Sequence, residues 1–247
     1  MSAFVDFFWA YEGFAPAHAR ERLLPMGTME LVFRNDDDGG AATGVAGPRS
    51  EFFVLDTSRP FSIVGVHFKA GGGFPFFGVP CDELHNRNVD LDAVWGASAI
   101  GVRDRLWETN THEQRFRVLE DTLLTRARGR LHQHPGVRHA LGVFDRCHCA
   151  RPVNDVVDEI GISPRRFGDL FRSEVGLSPK TYCRVRRFNE ALERIERAAD
   201  VDWLDVALSC GYFDQAHFNH DFHAFSGITP STYLRDRESR THVAIAD

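Results

Sequence analysis

The amino-acid sequence predicts an α+β chain: a β-rich N-terminal domain of barrel or sandwich type, then an all-α domain of two helix-turn-helix units joined by a long helix. Three observations carry this. The N-terminal half alternates short aromatic and β-branched runs with glycine breaks, the pattern of antiparallel strands and turns. Near the C-terminus a 16-residue pattern occurs twice, the second copy 51 positions after the first. Between the copies, a stretch of about 20 residues opens on Ser178-Pro179 and then contains no Pro or Gly, which permits one uninterrupted helix.

In chain order, strands are expected over Glu30-Leu31-Val32-Phe33, Glu51-Phe52-Phe53-Val54-Leu55 and Phe61-Ser62-Ile63-Val64-Gly65-Val66-His67-Phe68. Asn35 to Gly40 reads as an acidic turn and Ala70 to Gly73 as a second break. Helix returns near Thr111 to Arg130, where Phe116, Leu119, Leu123 and Leu124 fall on one stripe suited to joining the domains or to a dimer contact. The expected organisation is a sensor or dimerisation domain over residues 1–108, a helical connector over 109–135, the double helix-turn-helix over 136–237 and a tail over 238–247.

In the duplicated pattern, Phe167, Phe171, Gly176, Ser178, Pro179 and Tyr182 are answered by Phe218, Phe222, Gly227, Thr229, Pro230 and Tyr233. Each copy follows a short apolar helix and a glycine turn, Gly161-Ile162-Ser163 and Gly211-Tyr212-Phe213, so each reads as a helix-turn-helix unit. Ser163 and Asp214 are placed as N-caps. Advancing 100° per residue puts Phe167, Leu170 and Phe171 on the inner face of the first recognition helix, and Phe218, Phe222 and Phe225 on that of the second. The outward set, with the adjacent cap-proximal positions, is Arg165, Arg166, Asp169 and Arg172, then Gln215, Asn219, His220 and His223, and these are the candidate DNA contacts. Arg bonds guanine edges bidentately and Asn reads adenine, while His donates to phosphate or guanine. A helix from Pro179 to about Ala199 spans roughly 30 Å, near the ~34 Å turn of B-form DNA, so one chain reaches two adjacent major grooves.

Charge bounds the strength of any such contact. The chain carries 29 basic and 35 acidic residues, and from Gly136 onward there are 15 Lys plus Arg against 17 Asp plus Glu. Phosphate attraction must therefore come from local clusters, with Arg165-Arg166, Arg172, Arg184, Arg186-Arg187, Arg194 and Arg197 as the candidates.

These residues resemble the AraC/XylS-type bacterial transcription regulators over roughly Gly136 to Arg235. The most specific stretch runs from Gly211-Tyr212-Phe213-Asp214-Gln215-Ala216-His217-Phe218 to Gly227-Ile228-Thr229-Pro230-Ser231-Thr232-Tyr233. The resemblance implies sequence-specific binding of double-stranded promoter DNA. It also implies RNA polymerase, a small-molecule effector and a second copy of the chain as further partners. Where the family often carries Arg, this chain has Asp169 and His220, and Val157 replaces a small Ala that the second unit keeps as Ala207. Weaker or altered reading by the first unit is expected. The N-terminal half resembles a domain found on a subgroup of these regulators, through 24–33, 65–72 and 89–96, with Met26 and Ala70 in place of the usual Asp and Pro. A pocket lined by Trp9, Phe76, Phe77 and Trp95 would suit a small apolar effector, although for any one of these rings the filling of a small β-domain core is the stronger reading.

Other function classes find little support. His67 stands alone on its strand and His85 follows Glu83 in a separate loop, unlike the paired histidines of a metal-binding β-barrel. No serine-nucleophile elbow, phosphate-binding glycine loop or zinc-protease helix occurs. Cys147-His148-Cys149, with His132, His134 and His139 upstream, is the one metal-like cluster, and its spacing departs from Cys-x2-Cys. Neither catalysis, a cofactor nor a resident metal is expected. Five irregularly spaced cysteines, the lack of an 18-residue apolar run and the acidic start Ser2-Ala3-Phe4-Val5-Asp6-Phe7 give a cytoplasmic expectation. The alternative class is a ligand-binding protein or enzyme whose helical C-terminus contacts protein instead of DNA.

Overall fold

The computed structural model describes residues 1–247 except 16, 37–40, 128, 130, 199, 238–241 and 247; the backbone but not the side chain of 41 is included. Most of the expected acidic turn, the last residues assigned to the connector and linker helices, and half of the tail lie outside the described residues.

The N-terminal half is built on a five-stranded sheet of order β1-β6-β3-β4-β7, from β1 Val5–Phe14, β3 Glu30–Asp36, β4 Ala41–Ala46, β6 Phe61–Phe68 and β7 Asn88–Asp90. A second sheet of order β5-β2-β8 joins β2 Arg20–Leu23 and β5 Phe53–Asp56 to β8 Val243–Ile245. Every strand pairing among the described residues is antiparallel. Alternation along the strands sends Leu31, Phe33, Val45, Val64, Val66 and Phe68 to one buried face. On the opposite face Trp9 lies across Gly65, where an added Cβ would stand 2.5 Å from the indole.

Helices α1 Phe74–Phe77, α2 Leu91–Trp95, α3 Ser98–Trp107 and α4 His112–Arg126 close over the buried face. Phe76, Phe77 and Trp95 pack with Phe68 inside this core, and the Trp95 indole N–H donates to the Phe76 carbonyl. These three rings fill the core, the second of the two roles the sequence offered them. Helix α4 likewise turns Leu119 and Leu123 into the N-terminal core, with Phe116 against Phe8, and exposes only Leu124 of the expected stripe. Residues expected as a connector thus complete the first domain's interior.

The C-terminal half runs α5 Pro135–Arg146, α6 Val153–Ile160, α7 Pro164–Val175, α8 Pro179–Arg197, α9 Trp203–Ser209, α10 Gln215–Ser226 and α11 Pro230–Asp236. The long helix α8 buries Tyr182, Val185, Phe188, Leu192 and Ile195, threading one apolar stripe through both helix-turn-helix units. At 19 residues it is about 28 Å long.

The two halves share an extensive contact. Leu24 belongs to the C-terminal core, and the Phe52 ring packs on it. Backbone hydrogen bonds join Leu24 to His242, Phe52 to Phe225 and Ala246 to Arg20. Strand β8, in the segment expected as a tail, thereby adds a third strand to the β2–β5 pair. Short segments of high β-propensity are easily missed when their partner lies about 220 residues away; here β8 gains its stability from β2.

Candidate nucleic-acid interface

The duplicated residues build the same local structure twice. Helix α7 begins at Ser163, whose side chain accepts from the Arg166 N–H, and α10 begins at Asp214, which accepts from His217 at 2.7 Å. Both 12-residue helices end on glycines in the left-handed region, Gly176 with φ 85° and Gly227 with φ 70°. Only glycine adopts that conformation without cost, which is why the pattern repeats it. Beyond each end, Ser178 and Thr229 cap the next helix and hydrogen-bond the hydroxyls of Thr181 and Thr232, at 2.8 and 2.9 Å.

The interiors match as closely. Ring centroids of Phe167 and Phe171 are 5.5 Å apart and Phe171 to Tyr182 is 5.7 Å; Phe218 to Phe222 and Phe222 to Tyr233 repeat 5.5 and 5.7 Å. All six rings are buried. These inner rings leave the opposite faces of α7 and α10 to solvent, where Arg165, Arg166, Asp169, Arg172, Gln215, Asn219, His220 and His223 are all exposed. Arg165 and Arg166 show no ion pair among the described residues, whereas Arg172 is bridged to Asp169 one turn earlier. His220, 81% exposed, stands 3.8 Å from Asp221.

Several expected phosphate ligands are engaged elsewhere. Arg184 makes a two-pronged bond to the buried Asp221, at 2.6 and 3.2 Å, and lies over the Phe225 ring. That carboxylate holds the Arg184 guanidinium above its ordinary pKa. Arg187 donates to the Gly211 carbonyl and stacks on Tyr212. Arg186, Arg194 and Arg197 pair with Asp145, Glu190 and Glu193. The Arg184–Asp221 bond ties α8 to α10 and was not legible from sequence. Helical phase places Asp221 next to Phe222 and Phe225 on the inner face, the one signal that it needed a cationic partner.

The N-terminal histidines are structural. His67 is buried, with Nδ1 2.9 Å from Glu30 and Nε2 3.1 Å from Thr28, and Phe7 stacks on its ring. His85 meets Ser50 at 2.8 Å. Among the described residues no group of three or more His, Cys, Asp or Glu side chains is arranged to hold a metal, and no helix is long and apolar enough to cross a membrane.

Comparison with known proteins separates the two halves. Residues 156–236 match the family model of a helix-turn-helix domain, and residues 1–90 match a domain of unknown function, DUF6597. The HTH-type transcriptional regulator ExsA of Pseudomonas aeruginosa is 29% identical over 79 residues, which is 32% of this chain and 28% of that protein. The HTH-type transcriptional activator AarP of Providencia stuartii is 30% identical over 81 residues, 33% of this chain and 59% of that protein. The match therefore spans less than two thirds of either relative. Among solved structures, an AraC-type transcriptional regulator from Chromobacterium violaceum has 22% identity and a TM-score of 0.39, covering 42% of this chain and 94% of that one. ToxT from Vibrio cholerae has 10% identity and a TM-score of 0.45, covering 94% of each. The likeness to these transcription regulators lies in the helix-turn-helix domain over residues 156–236.

Proposed function

We propose that this protein is a sequence-specific transcription regulator that lays α7 and α10 into two adjacent major grooves of promoter DNA. The observation that carries this reading is the repeated construction: two recognition helices with the same caps, ring spacing and glycine ends, mounted on one helix of about 28 Å. Arg165 and Arg166 are the readers or phosphate ligands of the first helix. Gln215, Asn219, His220 and His223 serve the second, and Arg172 is available to phosphate once Asp169 releases it.

Regulation enters through the contact between the halves. The two glycines that end the recognition helices sit against the N-terminal domain. A Cβ on Gly176 would lie 2.2 Å from Pro48, and one on Gly227 would lie 2.4 Å from Phe52. Arg22, stacked on Phe52, also donates to the Ser226 carbonyl. A small-molecule effector that shifts the N-terminal domain changes the relative setting of the two helices, and by reciprocity DNA changes effector affinity. RNA polymerase and a second copy of the chain are the further partners of this reading, and it includes no catalytic step.

Binding of the full chain to mixed-sequence duplex DNA, measured across a salt series, tests the class of activity. DNA reading predicts a log–log slope of about −0.9 for each phosphate neutralised. An affinity that is flat in salt, or no binding, favours the alternative in which the near-neutral helical domain contacts another protein.

A further inference from the structure

The second helix-turn-helix unit differs from the first in charge. From Ala198 to Leu234 the chain has no Lys or Arg, and Asp200, Asp202, Asp205, Asp214 and Asp221 lie in that stretch. Arg184 and Arg187 reach this unit from α8, but they are committed to Asp221 and to the Gly211 carbonyl. Few cations are therefore left to neutralise phosphate around α10, and its hold on a groove rests on contacts with the bases. Gln215 and Asn219 supply hydrogen bonds for that purpose.

Phe213 supplies something else. At 86% it is the most exposed large hydrophobic residue among those described, and it stands immediately before Asp214, the cap of α10. The turn that presents it is fixed on both sides. On one, Gly211 takes the left-handed backbone at φ 76°, and the Tyr212 ring is buried edge-on against Phe218. On the other, Asp214 accepts the His217 N–H. The Phe213 N–H itself donates to His217 Nδ1 at 3.4 Å. Anchored neighbours thus hold this ring out in water. In a helix-turn-helix the N-terminal end of the recognition helix meets the base edges. The apolar group that a base pair offers in the major groove is the thymine C5 methyl, and Phe is among the side chains that contact it.

We propose that Phe213 reads the methyl group of a thymine in the half-site taken by α10, a contact that rests on the two-groove reading above. The ring and the methyl leave water together, so the contact adds affinity without a cation and favours thymine over cytosine, which lacks the methyl. Specificity at α10 then comes from two chemistries, hydrogen bonds from Gln215 and Asn219 and an apolar contact from the turn before them.

The test takes the site enriched from random DNA and replaces each thymine in turn by uracil, which removes the methyl and keeps the base pair. The α10 half-motif is the one weakened by His223→Ala. With the full wild-type chain, uracil at one position of that half-motif should weaken binding about fourfold in fluorescence anisotropy, the worth of one buried methyl-sized group. In Phe213→Ala the thymine and uracil sites should bind equally, and the log–log salt slope should match the wild type because no phosphate contact is lost. Thermal unfolding checks that Phe213→Ala stays folded, as expected for so exposed a ring. An α10 half-motif without thymine, wild-type binding indifferent to uracil throughout it, or a preference for thymine that persists in Phe213→Ala would overturn this inference and leave the two-groove reading standing. Failure to enrich a two-part site, or a site indifferent to His223→Ala, would overturn both.

Discussion

At the scale of single residues, the first recognition helix divides into a free pair and a neutralised one. Arg165→Ala is expected to cost about 1–3 kcal/mol of binding to a specific site, concentrated at one base pair, as read by fluorescence anisotropy across a mismatch series. Asp169→Asn releases Arg172 from its ion pair, so DNA binding should tighten and the salt slope should steepen by about one unit. Asp221→Asn acts on the fold instead. It leaves Arg184 without its buried charge partner and should lower stability by about 1–3 kcal/mol in denaturant unfolding. The outward face of each helix was legible because phenylalanines at i and i+4 fix the helical phase. Which arginines remain available was not legible. Ion pairs such as Arg186–Asp145 depend on α5 and α8 meeting in three dimensions, and helical phase within one element carries no such information.

At the scale of elements, the duplicated pattern made both helix-turn-helix units readable, down to the caps Ser163 and Asp214, because caps and glycine ends are local chemistry. Strand β1 was missed. Its aromatics occur on both faces, so Val5–Phe14 lacks the polar alternation that marks a half-buried strand, and its register comes from β6. The end of α7 carries a pH-sensitive contact. Glu174, 6% exposed, accepts the His134 N–H with both carboxylate oxygens, at 3.0 and 3.1 Å. Burial raises its pKa above the ordinary 4.5, and the His134 bond offsets that only in part. The folded state thus holds this proton more tightly than the unfolded chain. The associated stability is present below pH 4.5 and is lost as pH rises through the folded value. Relative to Glu174→Gln, the wild-type protein should lose stability over that interval, as measured by thermal unfolding at a series of pH values; parallel curves would contradict the assignment.

At the scale of the whole molecule, the chain folds back on itself, and strand β8 pairs with β2 of the N-terminal half. Neither local propensity nor the repeat announces this, since β8 is short and its partner is at the other end of the sequence. Deleting residues 242–247 should loosen the contact between the halves and increase hydrogen exchange at Arg20–Leu23 and at Phe52, with the helices of residues 135–236 less affected. Gly227→Ala should do the same, because the left-handed backbone and the Phe52 ring both oppose a methyl group there. The most direct test of two-groove reading is selection of bound fragments from a random DNA pool at near-physiological salt, followed by anisotropy on the enriched site with the wild-type chain, Arg165→Ala and His223→Ala. The account predicts an enriched site with two half-motifs about 10 base pairs apart, one weakened by each substitution. Enrichment of a single half-motif indifferent to one of the two changes, or of no motif at all, would contradict it.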